Sequence, residues 1–360
     1  MLATGLRIEE LAIPADLEVP EARDFIEMVG VRNAIEAALV DSTALSCTPA
    51  ELLPVYLAQE FSPKRLFVAR VDGRIVGRAV IEWSLAQGTS SSWITAEVLP
   101  EFRRRGIGGA LSDMVESVSL ESGRATLQVE ILHTATGGGE RLRSPTGFGD
   151  LPMGDPGVQF LLSRGYALEQ TARMSFLQLP ADAAALERLF ARAADAAGER
   201  YSLVYWTGRT PTDRVDDLIV LRTRMSTDAP SAGLDVDEEP WDAARIKHED
   251  DSLATSERTR LTVAAQDRST GRLVAFTELS VPDDRTRAVQ QLDTLVLAEH
   301  RGHRLGMLIK IANLRTLGAI RPAPQLIYTF NAEENRHMLD VNEAVGFRAV
   351  GHSGGWRKRD

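Results

Sequence analysis

Along the first half of the chain, apolar and polar positions settle into a succession of short elements. Leu66 to Val71 and Ile75 to Leu85 are apolar runs separated by Asp72-Gly73, a dipeptide that closes hairpins because it tolerates a left-handed backbone. A third run, Ser92 to Val98, follows. Ile107, Leu111, Met114, Val115 and Val118 then recur at helical spacing, which predicts an amphipathic helix with one buried face. Ala125 to Leu132 reads as a further strand. The second half repeats the series: Leu261 to Ala265, a turn near Thr270-Gly271, Leu273 to Val281, Val289 to Val296, a helix carrying Leu305, Leu308, Ile309 and Ala312, and Gln325 to Phe330. Strand clusters interleaved with helices predict the α/β (α+β) class, each half a mixed, mostly antiparallel central sheet flanked by helices.

The repeat sharpens at one point. Val98-Leu-Pro-Glu-Phe-Arg103-Arg104-Arg105-Gly106-Ile107-Gly108-Gly109 matches Val296-Leu-Ala-Glu-His300-Arg301-Gly302-His303-Arg304-Leu305-Gly306, each position 198 residues further on. A period that long means two domains rather than a solenoid. Pro180 to Glu199 is Ala- and Arg-rich with no glycine before Gly198, which predicts a helical connector at 181–200 between domains at 1–180 and 201–360. The Gly- and Pro-rich stretch Thr136 to Gly157 predicts a loop.

Both repeated motifs fall where a strand turns into a helix. The first turn of a helix carries amides with no partner inside the helix, and the helix dipole makes that end attractive to phosphate. Glycines there let a ligand approach the backbone, and arginines add charge. The second motif departs from the first at the glycine before the helix: Arg304 stands where the first has Gly106.

Composition narrows the field. The chain has 360 residues, 44% hydrophobic and 26% charged, enough for two ordinary cores. Its net charge of -10 disfavours nucleic acid and anionic membrane as partners and leans towards neutral or cationic small molecules. Cys47 is the single cysteine, so no disulfide forms within the chain, and the six histidines show no metal-ligand spacing. No signal peptide and no apolar run of membrane-spanning length is legible, so a cytoplasmic location is expected.

The motif Arg-x-x-Gly-x-Gly, preceded by an apolar strand ending in Val-x-Pro, resembles the acetyl-CoA pyrophosphate loop of the GNAT superfamily of N-acetyltransferases. The tandem arrangement is similar to that of two-domain bacterial members such as mycothiol synthase. The resemblance implies two tandem GNAT-like domains and acetyl-CoA as cofactor. By resemblance the pyrophosphate falls to Arg103, Arg104, Arg105, Gly106, Ile107, Gly108 and Gly109, and to Arg301, Gly302, His303, Arg304, Leu305 and Gly306. The family's preceding strand splays from its neighbour and pairs with the pantetheine arm, a role that falls to Ala96, Glu97 and Val98, and to Thr294, Leu295 and Val296. A family tyrosine that protonates the thiolate has no counterpart, because Leu161 and Asn342 occupy that place in the two copies.

Acetyl transfer to an amine needs a proton acceptor for the amine and a stabiliser for the leaving thiolate. Copy two keeps more polar groups for this. Glu278 and Asp293, on the strands leading into its loop, are candidate bases, and Asn342 takes the place of the acid. Asn331 and Asn335 are candidates for contact with the cofactor, although Asn331 is equally expected as a helix cap. Glu97 reads as structural. The expected function is an N-acetyltransferase acting on a small amine by direct transfer in a ternary complex, as monomer or homodimer, with copy two catalytic. The competing reading is a non-catalytic acyl-CoA-binding sensor. The acidic run Asp235 to Glu239 reads as a solvated turn.

Overall fold

The computed structural model describes residues 5–86, 90–134, 139–236, 240–323 and 325–359. The first half forms β1 (Arg7–Glu10), α1 (Ala22–Val40), α2 (Pro49–Leu57), β2 (Lys64–Val71), β3 (Arg74–Glu82), β4 (Ser91–Val98), α3 (Ile107–Glu121) and β5 (Thr126–Thr134). A small hairpin of β6 (Arg141–Arg143) and β7 (Asp150–Pro152), then α4 (Pro156–Ser163) and β8 (Ala167–Leu179), complete it. The second half runs α5 (Ala183–Ala197), β9 (Tyr201–Thr207), α6 (Val215–Asp228), α7 (Ala243–Ala254), β10 (Arg258–Asp267), β11 (Leu273–Pro282), β12 (Val289–Val296), α8 (Leu305–Ile320), β13 (Gln325–Ala332), α9 (Arg336–Val345) and β14 (Arg348–Arg359).

Local chemistry sets many of these boundaries. Asp72 and Gly73 both take positive φ, +50° and +84°, as the turn joining β2 to β3 requires. Thr48 closes a capping box with Glu51 at the start of α2. The stretch expected as a loop from Thr136 to Gly157 holds the β6–β7 hairpin and the start of α4, with residues 136–138 outside the described residues.

Instead of two separate sheets, all the principal strands join one twelve-stranded sheet in the order β1-β2-β3-β4-β5-β14-β8-β13-β12-β11-β10-β9. The order is symmetric about the central β14/β8 pair, and the halves exchange their last strands there. β14, from the end of the chain, pairs with β5, while β8 pairs with β13. Arg173 of β8 pins the exchange, gripping Glu333 beyond β13 at 2.8 Å and Glu343 of α9 at 2.6 Å.

Within each half, helices cover both faces. Ser92 of β4 bonds Ser119 of α3 on one face, while Glu97 of β4 reaches towards α1 and α2 on the other. Likewise Val263, Ala265 and Ala275 pack against α8, and Ala264 and Phe276 against α6 and α7. The alternation is the period-two pleat of a strand buried on both sides.

Candidate functional site

The two repeated motifs fold alike. After β4 a 3-10 turn (Pro100–Phe102) leads into Arg103, and after β12 the turn Ala298–His300 leads into Arg301. Arg103 Nε donates to the Val98 carbonyl at 3.0 Å, and Arg301 Nε to the Val296 carbonyl at 3.1 Å. Each arginine staples its loop to the end of the strand before it. Arg301 also pairs with Asp228 of α6 at 2.6 Å.

The backbone of the two loops agrees where the sequences do not. In the first, Arg104 and Gly106 have φ of +63° and +79°; in the second, Gly302 and Arg304 have +86° and +54°. Each loop needs the left-handed conformation at the same two places and supplies one glycine and one arginine, in opposite order. Arg304 therefore preserves the path that Gly106 takes, and its exposed side chain points away from the core. Neither α3 nor α8 has a side-chain cap, so the amides of their first turns stay open. A Cβ on Gly108 or Gly306 would meet atoms of the chain no closer than 3.8 Å. These glycines are therefore not demanded by close internal packing, and they leave the helix start without side chains beside the end of the preceding strand.

Beside each loop lies a cleft between two strands. β4 pairs with β5 only from Ser91 to Trp93, and β12 with β13 only at Val289 and Gln290. Beyond these points Ala96, Glu97 and Val98 are bound to β3 on one side and to no strand on the other; Thr294, Leu295 and Val296 stand likewise beside β11. In copy two the register shifts: Thr277 opposes Thr294 but Leu279 opposes Gln291, so Leu292 and Asp293 bulge against Glu278. Copy one has no such bulge between β3 and β4.

The bulge brings the candidate carboxylates to one cation. Arg222 of α6 donates to Glu278 at 2.5 Å and to Asp293 at 2.7 Å, with the Trp241 and Phe276 rings beside it. Glu278 is fully buried and also accepts from Thr262 at 3.4 Å. Asp293 keeps 40% of its side chain exposed. Burial pushes the Asp293 carboxyl above its ordinary range and Arg222 draws it back only in part. Glu249 of α7, at the rim, is raised by burial in the same way, against the pull of Arg222 and Arg260. Sequence reasoning missed Arg222, Arg260 and Glu249, because nothing in α6, β10 or α7 marks which charged positions converge.

The opposite face of the same cleft carries amides. Lys310 of α8 donates to Asn342 Oδ1 at 2.8 Å, and Asn342 Nδ2 donates to Asn331 Oδ1 at 2.6 Å. Lys310 and Asn342 are buried, and Asn331 is half-buried at the end of β13. Asn331 does not cap a helix; Asn335 does, accepting from the Met338 amide at 3.3 Å, so Asn335 serves α9. His300 accepts or donates at 2.9 Å to Tyr201, and the His303 ring lies 5.4 Å from the same tyrosine.

In copy one, Arg78 locks Glu97 at 2.7 Å and bonds Tyr56 at 3.1 Å. Glu36 of α1 lies in the same neighbourhood with its carboxyl pushed up to about 7, chiefly by burial and against the pull of Arg32. Leu161 fills the place of Asn342, and Ser112 that of Lys310. Among the described residues no group of histidine, cysteine or carboxylate side chains is arranged to hold a metal. No described helix is long and apolar enough to cross a membrane.

Residues 37–136 match the acetyltransferase (GNAT) family. No curated protein sequence matches the chain. Among solved structures, a tandem GNAT protein from the clavulanic acid biosynthesis pathway is 23% identical, covering 98% of each chain with a TM-score of 0.73. A GCN5-related N-acetyltransferase from Sphaerobacter thermophilus is 13% identical, covering 100% of this chain and 97% of its own, with a TM-score of 0.62. A glucosamine N-acetyltransferase region of a fungal multi-domain β-N-acetylglucosaminidase is 16% identical and covers 98% of this chain and 38% of its own, with a TM-score of 0.59.

Proposed function

Because the chain carries a GNAT acetyltransferase domain and the tandem GNAT fold along nearly its whole length, we propose that it moves an acetyl group from acetyl-CoA directly onto a small amine, and that copy two performs the transfer. The observation that carries this reading is the two-faced cleft between β12 and β13, with carboxylates on one side and an amide pair on the other.

Acetyl-CoA supplies an acyl group activated as a thioester. The open amides at Leu305 and Gly306, with Arg301 and Arg304, suit its pyrophosphate; the unpaired edge of Thr294, Leu295 and Val296 suits its amide-bearing arm. Asp293, exposed where Glu278 is sealed, accepts the proton of the incoming amine, and its raised affinity for protons favours that step. Glu278 holds Arg222 in place, and Arg222 holds Asp293. On the far side Asn331, held by Asn342, offers a neutral N–H donor to the acyl end of the cofactor where the family uses a tyrosine. In copy one the loop and cleft recur, but Leu161 removes the polar group at the leaving side, so that half binds acetyl-CoA without turnover. This is the part of the chain that suits a sensor.

The test pairs calorimetry with thiol release over a panel of amines, using wild type, Arg103→Ala and Arg301→Ala. Losing a charge-assisted contact and the loop staple should weaken binding at the affected half about 10- to 100-fold. Arg301→Ala should abolish most turnover and Arg103→Ala little. The reverse outcome would transfer the chemistry to copy one.

A further inference from the structure

Lys310 lies on the inner face of α8 at 2% exposure, its ammonium near Asn342 and 5.9 Å from the Phe347 ring, and no carboxylate among the described residues forms an ion pair with it. A buried ammonium without a counter-ion is costly, and burial lowers the Lys310 pKa to about 7. Packing alone would be served better by leucine or methionine, as at Leu308, Ile309 and Ile311 on the same helix. The hydrogen bonds give the lysine a task. While protonated, the ammonium has only donors, so Asn342 turns its oxygen towards Lys310. That leaves Asn342 Nδ2 facing Asn331, which must turn its oxygen inward to accept. The last free group in the chain is then Asn331 Nδ2, a donor at the mouth of the cleft. Without the lysine both amides can flip, and the outward group becomes as readily an acceptor.

We propose that Lys310 is a positioning residue that sets the orientation of Asn342 and Asn331, so that copy two presents an N–H donor to a carbonyl of the acetyl-pantetheine arm. The inference rests on the acetyl-CoA reading of the cleft and adds the residue that fixes its polarity. Copy one, with Ser112 and Leu161 in the equivalent places, lacks the device.

Three variants test it: Lys310→Met, Asn342→Ala and the double substitution, each in an Arg103→Ala background that isolates copy two. Thermal melts confirm folding, since removing an unpaired buried charge should not lower the melting temperature. Side-chain amide resonances of Asn331 and Asn342 in the ligand-free protein should shift or broaden in Lys310→Met. Acetyl-CoA affinity by calorimetry should fall about tenfold in each single variant and no further in the double, because both break one chain of bonds. Unchanged amide signals and affinity in Lys310→Met, while the Arg103→Ala parent binds acetyl-CoA, would overturn the proposal alone. Full additivity of the two losses would do the same. Failure of wild type to bind acetyl-CoA at millimolar concentration would instead overturn the cofactor reading on which it stands.

Discussion

Replacing Arg222 by methionine is the substitution whose consequences the structure specifies most fully. The guanidinium is buried between Glu278 and Asp293, and these neighbours, with Glu249, raise its proton affinity although burial alone would lower it. Arg222→Met keeps the volume but strands the Glu278 carboxylate, which has no exposure and whose nearest remaining cation is Arg260 at 3.6 Å. Breaking one side of a buried ion pair costs about 3–5 kcal/mol. With an unfolding entropy of about 2.1 cal/mol/K per residue, a chain of this length should melt about 4–7 °C lower near neutral pH. The penalty is electrostatic and belongs to the stranded carboxylate. It should therefore be absent once the stranded carboxylate is replaced by a neutral group of the same shape. Adding Glu278→Gln to Arg222→Met removes the stranded charge and should restore most of the loss. The assay is calorimetric melting of the four proteins of this cycle at pH 7.5. Should Arg222→Met melt within about 1 °C of wild type at pH 7.5, or should Glu278→Gln deepen its defect, the argument that Arg222 neutralises this cluster is wrong.

Two further outcomes follow from the loops and the strand exchange. Arg304→Gly restores glycine at a residue with φ of +54°; relief of left-handed strain and the greater freedom of the unfolded chain nearly cancel, so stability should change by less than about 1 kcal/mol. Acetyl-CoA affinity at copy two should nevertheless fall about five- to tenfold through loss of the cation, and tighter binding would show that the side chain obstructs the site. At the exchange, burial alone would raise the Glu333 carboxyl, but its bonds from His352 and Arg173 take it down to about 2. A depressed carboxylate stabilises the fold above its unfolded pKa of about 4.5 and loses that contribution as pH falls towards 2. Glu333→Gln should therefore lower stability at neutral pH and flatten the acid-induced loss between pH 4.5 and 2, as urea titrations at several pH values would report; an unchanged profile would remove Glu333 from the exchange.

The chain's local regularities fixed a large share of this picture. The Asp72-Gly73 turn, the heptad-like face of α3 and the doubled strand-to-helix corner at Arg103 and Arg301 are short-range signals, each governed by the backbone freedom or spacing of a few neighbouring residues. They were enough to assign the repeat, the strand-to-helix loops and the strands beside them. Residue identity at Arg304 did not reveal that the second corner keeps the path of the first, because only the backbone shows that the left-handed positions are shared between glycine and arginine in both loops. The cap of α9 falls to Asn335 and not to Asn331 for a similar reason, since which asparagine caps the helix depends on where it begins.

What tertiary structure alone decided is long-range pairing. Whether β14 joins β5 and β8 joins β13 turns on strands nearly two hundred residues apart competing for one sheet position, and period-two patterning is the same for either partner. Charge convergence is equally invisible along the chain: Arg222 and Glu278 lie 56 residues apart, and Lys310 and Asn342 are 32 apart. A sequence records that such groups exist and which of them are costly to bury; only the folded chain determines which of them meet, and so which carboxylate can take a proton and which amide is turned outward.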